Sequence, residues 1–169
     1  GDVDAGALEY LAKKENLDFQ QIMTILNQES GVLGISSNFS SDFRELKDAE
    51  IKYNDKAALA REIFVYRVAK YIGSYAAAMN GVDNIVFTAG VGDNDSDIRE
   101  QICEYLEFLG IAIDEVKNRE QGEAVRISDG ASRVNVLVVK TNEELEIARE
   151  AAAVAAQVKA NRETKAKGA

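Results

Sequence analysis

Apolar residues recur at intervals of three and four along most of the chain, which is the spacing of helices with a buried face. A short helix is predicted after Asp4, a second over residues 18–28, and the longest over about 54–80. Glycine, serine and asparagine interrupt this spacing over residues 29–41 and predict a loop. A last helix is predicted to open at Thr141. The pattern therefore predicts a helix-rich domain.

The longest predicted helix carries two apolar stripes rather than one. They are Val65, Ala69, Ile72, Ala76 and Met79 on one side, and Phe64, Val68, Tyr71 and Tyr75 on the other. A helix with a solvent face needs only one such stripe. This helix is therefore predicted to be buried on both sides.

Short continuous apolar runs predict strands. Residues 85–87 are of the buried, parallel-sheet kind. Residues 134–139 alternate weakly and predict another buried strand, and 111–113 and 124–127 are weaker candidates. A helix is predicted over 96–109, between the segments 85–87 and 111–113. Alternating strands and helices favour an α/β fold with a parallel core. The sheet is short of material for an independent fold, so a partner segment is expected.

Composition narrows the function classes. A net charge of −9 disfavours nucleic acid as a partner, and the absence of histidine rules out Ser-His and Cys-His catalysis within this chain. A lone cysteine, Cys103, excludes an internal disulfide, fits a reducing compartment, and is predicted to be a buried structural thiol. No apolar run approaches the roughly 18 residues that would predict a membrane span.

The strongest candidate site is the segment Asn84–Arg99, which reads as strand, glycine-rich loop and helix. Gly90 and Gly92 allow the backbone to approach a ligand closely. The loop follows the carboxyl end of a strand, where open α/β sheets bind ligands. Asp93 and Asp95 would repel a bare phosphate, so a cation intervenes or the loop faces the nucleoside. The alternative is an ordinary tight connection, with Asn94, Asp95 or Ser96 as helix cap.

A second candidate is Thr141–Glu144, which directly follows a predicted strand. Thr141 and Glu144 have the spacing of a capping box. Glu143 is left free, and a carboxylate at this place suits Mg²⁺, which takes one or two carboxylates together with substrate phosphates. From the residues alone, simple complementarity of Glu143 to the helix dipole is the favoured interpretation.

A third candidate is Ser40–Arg44. Asp42 can accept a hydrogen bond from a ribose hydroxyl, and Phe43 and Arg44 can lie against an adenine ring. The alternative is a helix start, with Asp42 as the cap and Phe43 in the core.

Five motifs, in one order, resemble the acetate kinase family. They are Gly1–Asp4, Gly34–Ser36 with Ser41–Arg44, Phe64–Arg67 with Tyr71–Gly73 and Tyr75–Met79, Asn84–Asn94, and Thr141–Leu145. The chain departs from the family pattern where Ala5 and Lys140 replace prolines and Asp93 replaces a glutamate. The resemblance extends to about Ala151.

The resemblance implies a ribonuclease H-like (actin-like ATPase) carboxy-terminal domain of α/β class. It implies ATP/ADP contacts at Asp42, Phe43 and Arg44 and along Gly90, Val91, Gly92, Asp93 and Asn94. It also implies that Glu143 binds Mg²⁺ and that the enzyme is a homodimer. It places the family's catalytic arginine, aspartate and histidine upstream of Gly1, in a missing amino-terminal half. No catalytic residue is therefore assigned in this chain.

We therefore expect a nucleotide-binding domain over residues 1–158 and a frayed basic tail over 159–169. The parent enzyme is expected to be cytoplasmic and to transfer phosphate between ATP and acetate, giving acetyl phosphate and ADP. Propionate is equally open as the acceptor. The rival hypothesis is a non-catalytic, dimerising α/β module that keeps the kinase scaffold.

Overall fold

The computed structural model describes residues 2–167, with side chains described through residue 158. Its helices are α1 Ala5–Glu15, α2 Phe19–Thr24, α3 Gly31–Ile35, α4 Phe43–Ile51, α5 Asp55–Ala78, α6 Ala89–Asn94, α7 Ser96–Glu104, α8 Glu115–Asn118 and α9 Glu143–Lys167. A π turn, Ile25–Glu29, follows α2, and a 3₁₀ turn, Glu107–Leu109, follows α7. Helices dominate the chain, as the hydrophobic spacing predicts.

Short polar side chains fix where several helices begin. Asp4, Asp18 and Asn54 each accept hydrogen bonds from backbone amides of the first turn of α1, α2 and α5. The predicted loop over 29–41 is wrong in part because it contains α3. Val32 of α3 packs against the small cluster formed by Leu46, Ala49 and Ala57. This burial stabilises a helical turn that the glycines and serines around it do not favour.

Three strands form one sheet in the order β1-β3-β2, with β1 Asn84–Phe87, β2 Ala124–Arg126 and β3 Asn135–Val139. β1 and β3 are parallel and place Phe87 opposite Val138. β2 runs antiparallel to β3, so the sheet is mixed around the expected parallel pair. The predicted strand over 111–113 is reduced to a single bridge between Ile113 and Ser128.

The main core lies where α5 and α7 cover this sheet. Its buried side chains include Val65 and Ala69 of α5, Ile98 and Ile102 of α7, and Val136 of β3. The helix predicted over 96–109 ends early, at Glu104, and continues as the 3₁₀ turn. Apolar residues of both pieces still face the core, which is why the sequence reads as one helix.

The two stripes of α5 are only partly covered within the described chain. Val65, Ala69 and Ala76 of the first stripe are buried, whereas Met79 is exposed. In the second stripe Phe64 and Val68 pack partly against the core, but Tyr71 and Tyr75 lie on the surface. The prediction that this helix is buried on both sides is wrong for the described chain, because no element of it packs against the two tyrosines and Met79.

The last helix, α9, is exposed along its described side chains, 143–158. Within the described residues, no helix is long and apolar enough to cross a membrane. The predicted frayed tail, 159–169, falls on residues whose side chains lie outside the described part of the chain.

Candidate functional site

Two of the three candidate segments follow the same edge of the sheet. Because β1 and β3 are parallel, both strands end at that edge. The segment Gly90–Asn94 follows β1, and Glu143 follows β3 after a short connection. The expected loop at 90–94 is instead the short helix α6, which contacts β3. This edge is where parallel strands of α/β proteins present ligand-binding residues.

The backbone at the start of α6 is strained and closely packed. Ala89 has φ 61°, which is the left-handed conformation that a residue with a Cβ rarely adopts. A Cβ on Gly92 would lie 3.3 Å from the Phe87 carbonyl carbon, so this glycine permits the close contact between α6 and β1. A Cβ on Gly90 would meet no atom within 4 Å. Gly90 therefore presents bare backbone to open space.

Arg99 of α7 holds α6 in place through hydrogen bonds to its backbone carbonyls. Its Nη1 donates to the Gly92 carbonyl at 2.8 Å and to the Asp93 carbonyl at 3.0 Å. Its Nε donates to Asn118 Oδ1 at 2.8 Å, and its Nη2 donates to the Asn118 carbonyl. Burial lowers the pKa of the guanidinium, and nearby carboxylates such as Asp95 oppose that shift. Arg99 thereby joins α6, α7 and α8.

Asp93 of α6 is left partly unsatisfied. Its Oδ1 is buried and has no hydrogen-bond partner among the described residues. A buried carboxylate oxygen without a donor is costly. The neighbouring Asn94 closes α6 differently, because its Nδ2 donates to the Gly90 carbonyl at 2.8 Å.

The third segment begins α4. Asp42 Oδ1 accepts from the Arg44 amide at 2.8 Å, and Asp42 Oδ2 pairs with Arg44 Nη2 at 2.6 Å. These hydrogen bonds from Arg44 lower the pKa of the Asp42 carboxyl to about 2. The Phe43 ring packs edge-on against Phe64, with centroids 4.5 Å apart, while the Arg44 side chain is 89% exposed. The helix-start alternative is therefore present, and it leaves Arg44 on the surface.

Arg61 of α5 links this third segment to the sheet edge. Its Nη1 lies 2.7 Å from Asp95 Oδ2 and 3.5 Å from the Phe43 carbonyl, and its Nε donates to Glu50 Oε2 at 2.6 Å. Sequence reasoning missed both Arg61 and the supporting role of Arg99. A signal for Arg61 was available, because it falls four residues after Ala57 and four before Val65 on the buried stripe of α5.

The predicted capping box at the start of α9 is wrong. The Leu145 amide donates to Asn142 Oδ1 at 3.1 Å, so Asn142 rather than Thr141 is the cap. Glu144 is then not at the position from which a side chain reaches back to the cap, and it is exposed. The helix begins one residue later than the Thr-x-x-Glu spacing predicted.

Glu143 also lies exposed, in the first turn of α9. Among the described residues it forms no ion pair, and no group of three or more carboxylate or cysteine side chains could hold a metal ion on its own. One free carboxylate is the ligand set expected when Mg²⁺ is held chiefly by nucleotide phosphates and water. Glu143 fits that arrangement and not a closed protein metal site.

Cys103 is confirmed as a buried thiol. It is 3% exposed within the main core. Burial raises the pKa of the thiol to about 12, with a small opposing effect from the charge of Arg99. A thiol in this environment stays protonated near neutral pH and is a poor nucleophile.

Solved structures define the class of the fold. Over 89% of the chain, a Porphyromonas gingivalis acetate kinase superposes with a TM-score of 0.82 at 46% identity, and a Francisella tularensis propionate kinase with a TM-score of 0.80 at 38% identity. An Entamoeba histolytica acetate kinase superposes with a TM-score of 0.82 over 91% of the chain at 28% identity. The helix-rich layer on a small mixed sheet is thus part of a ribonuclease H-like, actin-like ATPase domain.

Sequence comparison gives the family. The acetokinase family model matches residues 1–149. The acetate kinase of Helicobacter hepaticus is 53% identical over 94% of the chain, and that of Agathobacter rectalis is 55% identical over 89% of the chain. The chain belongs to the acetokinase family. It spans 39% and 38% of the length of these two relatives.

Proposed function

We propose that this chain is the nucleotide-holding part of an acetate kinase, an enzyme that transfers phosphate between ATP and acetate to give acetyl phosphate and ADP. The observation that carries the proposal is the common edge of β1 and β3, beyond which α6 and Glu143 both lie. Family membership supplies the reaction class. The acceptor acid stays open between acetate and propionate, because similar structures include kinases named for each.

Each candidate residue has a task in holding the nucleotide. The bare backbone at Gly90 lets α6 lie close to the nucleoside, and the Asp42 carboxylate, which is paired with Arg44 at the start of α4, can also accept from a ribose hydroxyl. Arg44, which is exposed, can cover the adenine face, while Phe43 is held by Phe64 and acts through its backbone position. Phosphoryl transfer depends chiefly on such positioning and on charge neutralisation.

Glu143 is the residue proposed to meet Mg²⁺. When bound, Mg²⁺ would neutralise negative charge on the phosphates of the nucleotide. Glu143 contributes one carboxylate from the first turn of α9, and Asp93, half-buried in α6, is a second carboxylate in the segment that follows β1. We assign no acid, base or nucleophile to this chain. The cytoplasm is the proposed compartment, consistent with a single cysteine buried as a free thiol.

Separate alanine variants of Glu143 and Glu144 test the metal assignment in the full-length enzyme that contains this chain. Glu143→Ala is expected to raise the Mg²⁺ concentration for half-maximal turnover about tenfold or more. Glu144→Ala is the matched control, because it removes an adjacent exposed carboxylate that does not cap α9 and lies one residue farther from β3 than Glu143. Thermal midpoints of both variants are expected to stay near that of the parent.

The opposite pattern would reverse the assignment. A loss of Mg²⁺ response in Glu144→Ala with a normal response in Glu143→Ala would give the metal to Glu144. A normal response in both variants would leave the pair as helix-dipole partners and remove Mg²⁺ from this helix.

The exposed half of the second stripe on α5 favours a homodimer of the parent enzyme. Tyr75 is 62% exposed and stacks on Tyr71, with ring centroids 6.4 Å apart. Tyr75→Glu is expected to shift the full-length enzyme toward monomer in sedimentation, because a charge in a buried apolar contact is costly. Tyr10→Glu, at an exposed tyrosine of α1, is the control. An unchanged dimer in both variants would remove this surface from the interface.

A further inference from the structure

We propose that the buried ion pair between Arg61 and Asp95 is a positioning device that sets the α4 start, Asp42–Arg44, against α6. The inference rests on the proposed function, since it concerns how two nucleotide-contacting segments are held relative to each other. Neither Arg61 nor Asp95 is proposed to touch the nucleotide. Both act through the segments that do.

Arg61 is placed to join two segments that are far apart in sequence. Its side chain is 3% exposed, and its Nη1 lies 2.7 Å from Asp95 Oδ2 and 3.5 Å from the Phe43 carbonyl. Phe43 is the middle residue of the α4 start. One guanidinium nitrogen therefore contacts both the proposed adenosine segment and the residue that follows α6.

Asp95 fixes the other side of the junction. Its amide donates to the Val91 carbonyl at 3.0 Å and closes α6, and its Oδ1 accepts from the Ile98 amide at 3.2 Å and caps α7. Burial opposes ionisation of this carboxyl, but the hydrogen bond and the charge of Arg61 lower its pKa overall. The position of α6 is thus tied to a carboxylate that Arg61 holds.

Two further charged side chains, Glu50 and Lys47, complete the network around Arg61 and Asp95. Glu50, 37% exposed at its side chain, pairs with Arg61 Nε at 2.6 Å near the far end of α4. Lys47 lies nearer to Asp97, at 2.7 Å, than to Asp95, at 3.6 Å. Arg61 therefore has one carboxylate partner on the nucleotide side and one away from it, which provides a matched pair for a test.

The test compares Asp95→Asn with Glu50→Gln in the full-length enzyme. Each change replaces one carboxylate partner of Arg61 by an amide, and asparagine at 95 can still cap α7. We expect Asp95→Asn to raise the KM for ATP about fivefold or more, with the KM for acetate within about twofold. Glu50→Gln is expected to leave both KM values within about twofold. If Asp95→Asn does not fold, Arg61→Lys replaces it in the test. The single ammonium of lysine cannot reach both carboxylates and the Phe43 carbonyl, so we expect the same rise in the KM for ATP.

A purely structural role would give a different result. Asp95→Asn and Glu50→Gln would then both lower the thermal midpoint, and neither would change the KM for ATP. That result would overturn the proposal. Gly90→Val, measured in parallel, separates this failure from a failure of the proposed function. If Gly90→Val raises the KM for ATP and Asp95→Asn does not, only the junction is wrong. If neither does, the nucleotide is held elsewhere.

Discussion

The 169-residue chain, produced alone, is expected to show no acetate kinase turnover above a protein-free blank. The chain contains no histidine, and its candidate residues at the sheet edge are proposed only to hold the nucleotide and Mg²⁺. The proposed function assigns no acid, base or nucleophile to this chain. Removal of a catalytic centre, with only binding residues left, costs many orders of magnitude in rate.

The measurement is acyl phosphate formation by the purified chain, with a preparation from an expression host lacking its own acetate kinase. The matched control is the same assay after the full-length enzyme is added, which shows that the conditions support turnover. Turnover by the chain alone within about a hundredfold of the full-length enzyme would contradict the assignment of this chain as the nucleotide-holding part.

Arg99→Met is expected to cause the largest loss of stability of any single change considered. The guanidinium donates to the Gly92 and Asp93 carbonyls and to two oxygens of Asn118, which is 1% exposed. Methionine fills a similar volume but leaves those acceptors without donors, and each buried unsatisfied group costs about 1–3 kcal/mol. The free energy of unfolding is therefore expected to fall by about 3 kcal/mol or more.

Denaturant unfolding of the full-length enzyme checks this expectation, with Arg119→Met as the matched control. Arg119 ends α8 and is exposed, so its replacement is expected to change the free energy of unfolding by less than about 0.5 kcal/mol. Equal unfolding midpoints for the two variants would mean that α6 does not depend on Arg99 for its support.

Much of the fold could be predicted because the local signals agree with the packing. Asp4 and Asn54 cap helices where the sequence places them, and the continuous apolar runs at β1 and β3 form the expected parallel pair. The boundary errors come from tertiary contacts. Burial of Val32 makes a helix in a glycine- and serine-rich stretch, and the helix after Asp95 changes to a 3₁₀ turn without leaving the core.

The candidate site was harder to predict because its supports are distant in sequence. The segment at Gly90 was recognisable from its glycines, but the left-handed Ala89 beside it has no sequence signature. Arg99 reads as an ordinary helix arginine until Asn118, nineteen residues later, is seen beside it. The cap at Asn142 was missed because the neighbouring Thr-x-x-Glu spacing offered an equally good local pattern.

The most direct test of the central claim is the KM for ATP of Gly90→Val in the full-length enzyme. A Cβ added at Gly90 meets no protein atom within 4 Å, and the position does not require positive φ, so the backbone there accepts a residue with a Cβ. Gly130→Val, at another glycine whose added Cβ meets nothing, is the control. The account predicts that Gly90→Val raises the KM for ATP about tenfold or more, with the KM for acetate and the thermal midpoint nearly unchanged. An unchanged KM for ATP in Gly90→Val would contradict it.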